Sequence, residues 1–96
     1  MLRRRRGWLM PRLSELPNIG PELEKQLMAV GINTPEELRE VGSCEAWLRI
    51  LRQDPSACMM RLSALEGAIQ GVRWHHLDAP TKASLKEFYY KHKSTK

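Results

Sequence analysis

The sequence predicts an all-α fold, a compact bundle of about five helices. Leu occurs 13 times against 7 for Val and Ile together, so the apolar residues are mostly helix formers rather than the β-branched kind that fits a pleated sheet. Apolar residues recur at spacings of three and four, the period of one helix face. Pro and Gly stand where such helices would start and stop. With 96 residues, 42% hydrophobic and 28% charged, the chain can bury one core and has no room for a second domain.

The elements follow in order. A turn over 13–16 runs into Leu16-Pro17-Asn18-Ile19-Gly20-Pro21, and Pro21 suits a first helical position because the N–H it lacks would be unpaired there. A helix over 21–29 follows, with Leu23, Leu27 and Val30 as its stripe, and Gly31 ends it. Thr34-Pro35-Glu36-Glu37 reads as a capping box that opens a short helix stopping at Gly42. Ser43 is placed to cap a third helix over 44–53, with Cys44, Trp47, Leu48 and Leu51 on one face. Asp54-Pro55 closes that helix and caps the next, expected over 55–71 as the longest and most central. Its stripe is Cys58, Leu62, Leu65, Ile69 and Val72. Gly67 and Gly71 form a GxxxG pattern, read as close packing within the molecule because no membrane-spanning stretch accompanies it. A loop with Trp74, His75, His76 and Asp78 leads to a last helix over 80–91, carrying Leu85, Phe88, Tyr89 and His92 on one face. Lys82, Lys86 and Lys93 fall within about 40° of one another on a neighbouring face. Residues 1–12 read as a disordered basic arm, 13–92 as the helical domain and 93–96 as a fraying tail.

The net charge of +5 is a sum over unlike segments. Residues 1–13 hold Arg3, Arg4, Arg5, Arg6 and Arg12 and no acid; residues 14–45 hold seven Glu against Lys25 and Arg39; residues 46–96 hold nine basic groups against four acids. The balances are +5, −5 and +5.

The first Pro-Asn-Ile-Gly-Pro run, continued by Leu23, Leu27 and Val30-Gly31-Ile32-Asn33-Thr34, resembles the helix-hairpin-helix pattern. That resemblance implies helix-hairpin-helix-like turns near the N-terminus whose N–H groups point at a DNA phosphate. It makes Asn18, Gly20, Lys25 and Gly31 candidate contacts. Asn18 stands where the pattern has its first Gly, which it can because Asn tolerates a left-handed φ. Glu15, Glu22, Glu24, Glu36, Glu37 and Glu40 surround the two turns, so this segment alone is a poor surface for a polyanion. Double-stranded DNA is therefore expected on a C-terminal basic face of Arg73, Lys82, Lys86, Lys91 and Lys93, with Arg3 to Arg6 as a possible arm. The alternative stays open: hairpins that are purely structural, in a protein-interaction module whose acidic and basic faces serve a partner or a second copy.

Taken together, LPNIGPELEKQLMAVGINTPEELREVGSCEAWLRIL, the block QDPSACMMRLSALEGAIQGVRWHHL and a helix ending in EFYYK resemble, over residues 13–90, the C-terminal domain of the TfoX/Sxy regulators of bacterial competence. The resemblance implies a small helical domain of helix-hairpin-helix ancestry, found fused behind a separate N-terminal domain or standing alone. The stand-alone form is expected here. The family's role in switching on DNA-uptake genes then does not carry over automatically.

Other constellations are weaker. His75 and His76 near Asp78 invite a metal reading, yet adjacent residues in regular structure face different ways, so a loop role is expected and no metal or cofactor. Cys44 sits near a helix start, where a thiol pKa can fall, but no base stands beside it and burial is expected. Trp47 and Trp74 are expected in or near the core, Trp8 in the basic arm, and Tyr90 beside the lysines. No paired carboxylates, phosphate-cradling loop or GxSxG turn occurs, so no enzyme is expected. The start has a basic region without an apolar one behind it, and Cys44 and Cys58 form no CxxC, so a cytoplasmic location without membrane attachment is expected.

Overall fold

Proline opens the first two helices and a left-handed glycine closes the first. A computed structural model describes residues 12–93, the side chain of Lys93 excepted. Residues 1–11 of the expected arm, with Arg3 to Arg6 and Trp8, and 94–96 of the expected tail lie outside the described residues, whereas Arg12 pairs with Glu24 and Lys93 ends the last helix. Helices α1 (Pro21–Ala29) and α2 (Pro35–Val41) have the bounds that the sequence predicts. Between them Gly31, at φ 88°, donates to the Met28 carbonyl at 3.1 Å while Ile32 donates to Leu27 at 2.9 Å. These paired bonds need a left-handed residue, which a Cβ would strain. They turn Ile32 back into the core, where it is fully buried. The Thr34 hydroxyl accepts from the Glu37 N–H at 3.1 Å, and the Glu37 carboxylate accepts from the Asn33 N–H at 2.7 Å. The capping box thus reaches back one residue beyond its cap.

Later boundaries differ from expectation. Helix α3 (Ser43–Gln53) is preceded by Gly42, so Ser43 is its first residue and not its side-chain cap. Ser43 is buried and its hydroxyl donates to Glu66 at 2.6 Å, a partner too distant in sequence for a local capping rule to foresee. Helix α4 (Met59–Gln70) starts four residues later than predicted. Asp54 is diverted into a turn, its carboxylate accepting from the Ser56 N–H at 3.0 Å and from the Ser56 hydroxyl at 2.5 Å. Cys58 then caps α4 in extended conformation and is exposed, outside the expected stripe. The longest helix is α5 (Ala79–Lys93), with 15 residues, entered where the Asp78 carboxylate accepts from the Thr81 N–H at 3.0 Å. Single 3-10 turns lie at Leu13–Glu15 and Trp74–His76, and the described residues contain five α-helices and no strand. None of these helices is long and apolar enough to cross a membrane.

Helix α4 holds the centre, as predicted. Leu62, Leu65 and Ala68 are fully buried, and Ser63, Ala64 and Gly67 are buried too, so the helix is covered on most sides. Helices α2, α3 and α5 and the Trp74–His76 turn pack on it. Trp47 of α3 is fully buried, with ring centroids 6.0 Å from Phe88 and 5.6 Å from Tyr89 on α5, and its indole N–H donates to the Cys58 carbonyl at 3.2 Å. Ile19, Leu27, Ile32 and Leu38 fill the N-terminal half of the same core. Each such aliphatic side chain contributes about 1.5–3 kcal/mol on burial. Gly67 is close-packed as the sequence suggested, whereas Gly71 has open space around it and serves as the left-handed end of α4 at φ 79°.

Candidate nucleic-acid interface

The first hairpin is held by its own asparagine. Asn18 takes the left-handed conformation at φ 71°, and its side chain points across the end of α4. Its amide donates to the Val72 carbonyl at 2.9 Å and the Ala64 carbonyl at 3.4 Å, and its oxygen accepts from the Trp74 N–H at 3.1 Å. All three bonds span long stretches of chain, so Asn18 latches the hairpin to the C-terminal half of the domain. Ile19 plugs the turn into the core at 4% exposure.

The other predicted hairpin contacts do not gather into one patch. Gly20 and Gly31 are exposed beyond opposite ends of α1, whose nine residues alone span roughly 14 Å at 1.5 Å per residue. Lys25 is exposed on α1 between them. The first turn of α1 carries Glu22 and Glu24; Glu24 accepts from the Ser14 N–H at 3.3 Å and meets Arg12 at 3.6 Å. The positive end of this helix therefore faces its own carboxylates, which oppose an incoming phosphate.

The C-terminal cations divide into two groups. Lys82 donates to the His75 carbonyl at 3.3 Å, which brings it against the Trp74–His76 turn that Arg73 precedes. Lys86 follows one turn along α5, and all three are exposed. Lys91 lies about 180° around the helix from Lys82 at 100° per residue. It lines a groove with Cys44, Ser84 and Phe88 instead. The Lys93 side chain lies outside the described residues. Lys82 and Lys86 thus share one face of α5, with Lys82 against the turn that Arg73 precedes, and Lys91 does not share that face.

Several residues fall elsewhere than expected. Trp74 is 37% exposed, because its backbone is pinned to Asn18 on a surface turn and its ring stacks edge-on with His75 at 5.5 Å. The rings of His75 and His76 meet edge to face at 4.4 Å on this exposed turn, closer than the spacing argument suggests. No cluster of three or more His, Cys, Asp or Glu side chains suited to a metal occurs among the described residues. Cys44 is half-buried, and burial pushes its thiol pKa up, opposed by a hydrogen bond with Ser43 and reinforced by Glu66. That direction disfavours the thiolate.

Met60 escaped the sequence reading. It stands about 160° from Leu62 on α4, so the spacing itself marked it as an apolar residue turned outward, and it is 55% exposed. It borders a groove of ≈ 350 Å³ with Asn18, Leu23, Arg61, Arg73 and Trp74. Arg61 is held there by Asp54 at 3.1 Å, and the same carboxylate accepts from Gln26 of α1 at 3.1 Å. Ser56, through hydroxyl and N–H, and then Arg61 and Gln26 hold the Asp54 carboxyl down to about 2 from the ordinary 3.8. A carboxyl lowered on folding stabilises above its unfolded pKa and loses that contribution as pH falls through the folded value. Stability should therefore decline between pH 3.8 and about 2 partly through Asp54. Denaturant melts of Asp54→Asn are expected to show a shallower acid limb than the parent over that window; equal slopes would contradict the assignment.

Fold and site together define a class: a small all-α domain with two successive N-terminal helical turns latched to a buried central helix, and exposed cations in its C-terminal half. The chain belongs to the TfoX C-terminal domain family, which matches residues 10–89. It is 36% identical to Protein Sxy of Escherichia coli (strain K12) over 77 residues, which cover 80% of this chain and 37% of Sxy. The chain thus spans little more than a third of that relative. Among solved structures it resembles an uncharacterized protein from Listeria monocytogenes in a triclinic crystal, at 55% identity and TM-score 0.86, covering 88% of this chain and 96% of that one. A protein of unknown function from Listeria monocytogenes in a tetragonal form matches at 58% identity and TM-score 0.80, covering 82% and 96%.

Proposed function

We propose that this chain is a non-enzymatic regulatory module that associates with duplex DNA, related in role to the competence regulators, and that Arg73, Lys82 and Lys86 make the contact. The observation that carries this reading is the Lys82 bond to the His75 carbonyl, which brings exposed Lys82 against the turn that exposed Arg73 precedes, with Lys86 on the same face of α5. The hairpins act as a brace. Asn18 spends its side chain on the latch, and the acidic surroundings of α1 favour keeping phosphates away. Such a module works in the cytoplasm, where Cys44 and Cys58, both free thiols, stay reduced.

Anisotropy of a labelled duplex tests it. Affinity is expected to fall as salt rises, with a log–log slope of about −0.9 for each phosphate neutralised. The double variant Lys82→Glu, Lys86→Glu is expected to weaken binding on the order of tenfold or more at low salt. Removal of residues 1–11 separates the contribution of Arg3 to Arg6 from that of Arg73, Lys82 and Lys86. A flat titration at low salt would sink the reading. A protein-interaction role is the second reading, favoured by Met60 and Trp74, two exposed apolar side chains on one groove.

A further inference from the structure

We infer that the groove between α1, the start of α4 and the Trp74–His76 turn binds an acidic peptide segment that presents one large apolar anchor. Buried Ala64 of α4 and half-buried Leu23 of α1 line the groove together with exposed Met60 and Trp74, half-buried Arg61 and exposed Arg73. Two of the four exposed large hydrophobic side chains among the described residues, Met60 at 55% and Trp74 at 37%, border this one depression. Met and Trp are side chains that adaptable binding surfaces favour. The volume, ≈ 350 Å³, is at the small end of ligand clefts, which run from about 300 Å³ upward. It suits a single Leu or Phe side chain rather than a whole helix.

Charge selects the partner. No carboxylate lines the groove, whereas two guanidiniums do. Arg61 is oriented by Asp54 at 3.1 Å, which leaves other N–H groups of its fork to donate outward. Arg73 is exposed. Planar guanidiniums match carboxylates in a bidentate way. The lining is also set in advance: the Asn18 bond at 3.1 Å fixes the Trp74 backbone, and the turn at 54–57 fixes the approach to Met60. A preformed site loses less ordering entropy on binding. Leu23, Met60 and Ala64 in the lining offer aliphatic contact to an apolar side chain, and Trp74 is the one aromatic face on which a base could stack. The inference goes beyond the DNA reading and uses a different set of residues, with Arg73 in common.

Cys58 lines the same groove and is exposed, so a bound peptide should shield its thiol. The test uses a fluorescein-labelled synthetic peptide with one Phe flanked by Asp and Glu, and a control with Lys in place of the acids. The expected result is saturable anisotropy with the acidic peptide only, weakened by salt and by about tenfold in Met60→Asp and in Arg73→Glu. In a Cys44→Ser background the peptide should slow Cys58 alkylation several-fold. Lys82→Glu, Lys86→Glu, which disables the duplex contact on α5, should leave the peptide signal intact, and Met60→Ser, which adds no charge beside Arg73, should weaken the peptide while leaving duplex binding intact. No saturation at millimolar peptide would overturn the inference. So would binding that ignores Met60→Asp and Arg73→Glu, or a single-stranded oligonucleotide that protects Cys58 where the peptide does not.

Discussion

Trp47→Ala is expected to lower the free energy of unfolding by about 4 kcal/mol. The indole is fully buried between α3, α4 and α5 and meets two aromatic rings, those of Phe88 and Tyr89. Its hydrogen bond to the Cys58 carbonyl is the lesser part of the loss, because that carbonyl also accepts from the Arg61 and Leu62 N–H groups at 3.1 and 3.2 Å. Packing dominates: the truncation leaves a cavity that α5 cannot close without losing its other contacts. A domain of this size has about 5–15 kcal/mol in total, so the variant would sit near the edge of folding. Urea melts should show the midpoint fall, and Trp47→Phe, which keeps a ring against Phe88 and Tyr89, should recover more than half of the loss. A deficit below about 1 kcal/mol in the alanine variant would mean that the core repacks freely around this site.

Gly67→Ala should cost about 3 kcal/mol, although alanine is ordinarily the better helix former by up to about 1 kcal/mol. Steric conflict decides the sign. A Cβ at this position would stand 2.5 Å from the Asn18 amide nitrogen, 2.7 Å from the Val72 carbonyl oxygen and 3.3 Å from the Trp74 Cα. Two of these atoms are backbone, and the third is committed to bonds with Val72 and Ala64. The new methyl must therefore break the latch or push the Trp74–His76 turn away from α4. Asn18→Gly keeps the left-handed φ of 71° and removes the amide, so the alanine should cost measurably less in that background than alone. Strict additivity in the double-mutant cycle would show that the two residues do not share this space.

Local chemistry explains what was legible. The bounds of α1 and α2 could be read because Pro21, Gly31, Pro35 and Gly42 act within a turn of where they stand. The start of α4 could not, since Asp54 before Pro55 is equally the signature of a helix cap and of the turn it forms with Ser56. Ser43 has the composition of a cap, yet its hydroxyl was claimed by Glu66 from another helix. In the candidate site, helical phase alone would have separated Lys91 from Lys82 and turned Met60 outward. That Arg73 and Lys82 share one turn depends on how α5 docks, which no spacing encodes. The left-handed backbone of Asn18 was expected, but its reach to residues 64, 72 and 74 rests on packing between distant parts of the chain.

That reach also sets a schedule for synthesis. The partners of Asn18 follow it by 46, 54 and 56 residues, so a ribosome adding about 5–20 residues per second makes the latch roughly 3–10 s after the asparagine itself. The N-terminal hairpin is translated first but is latched only once Trp74 has been made. A nascent chain halted before Trp74 already contains the central helix but lacks one of the three bonds that tie Asn18, and with it Ile19, to that end of the fold.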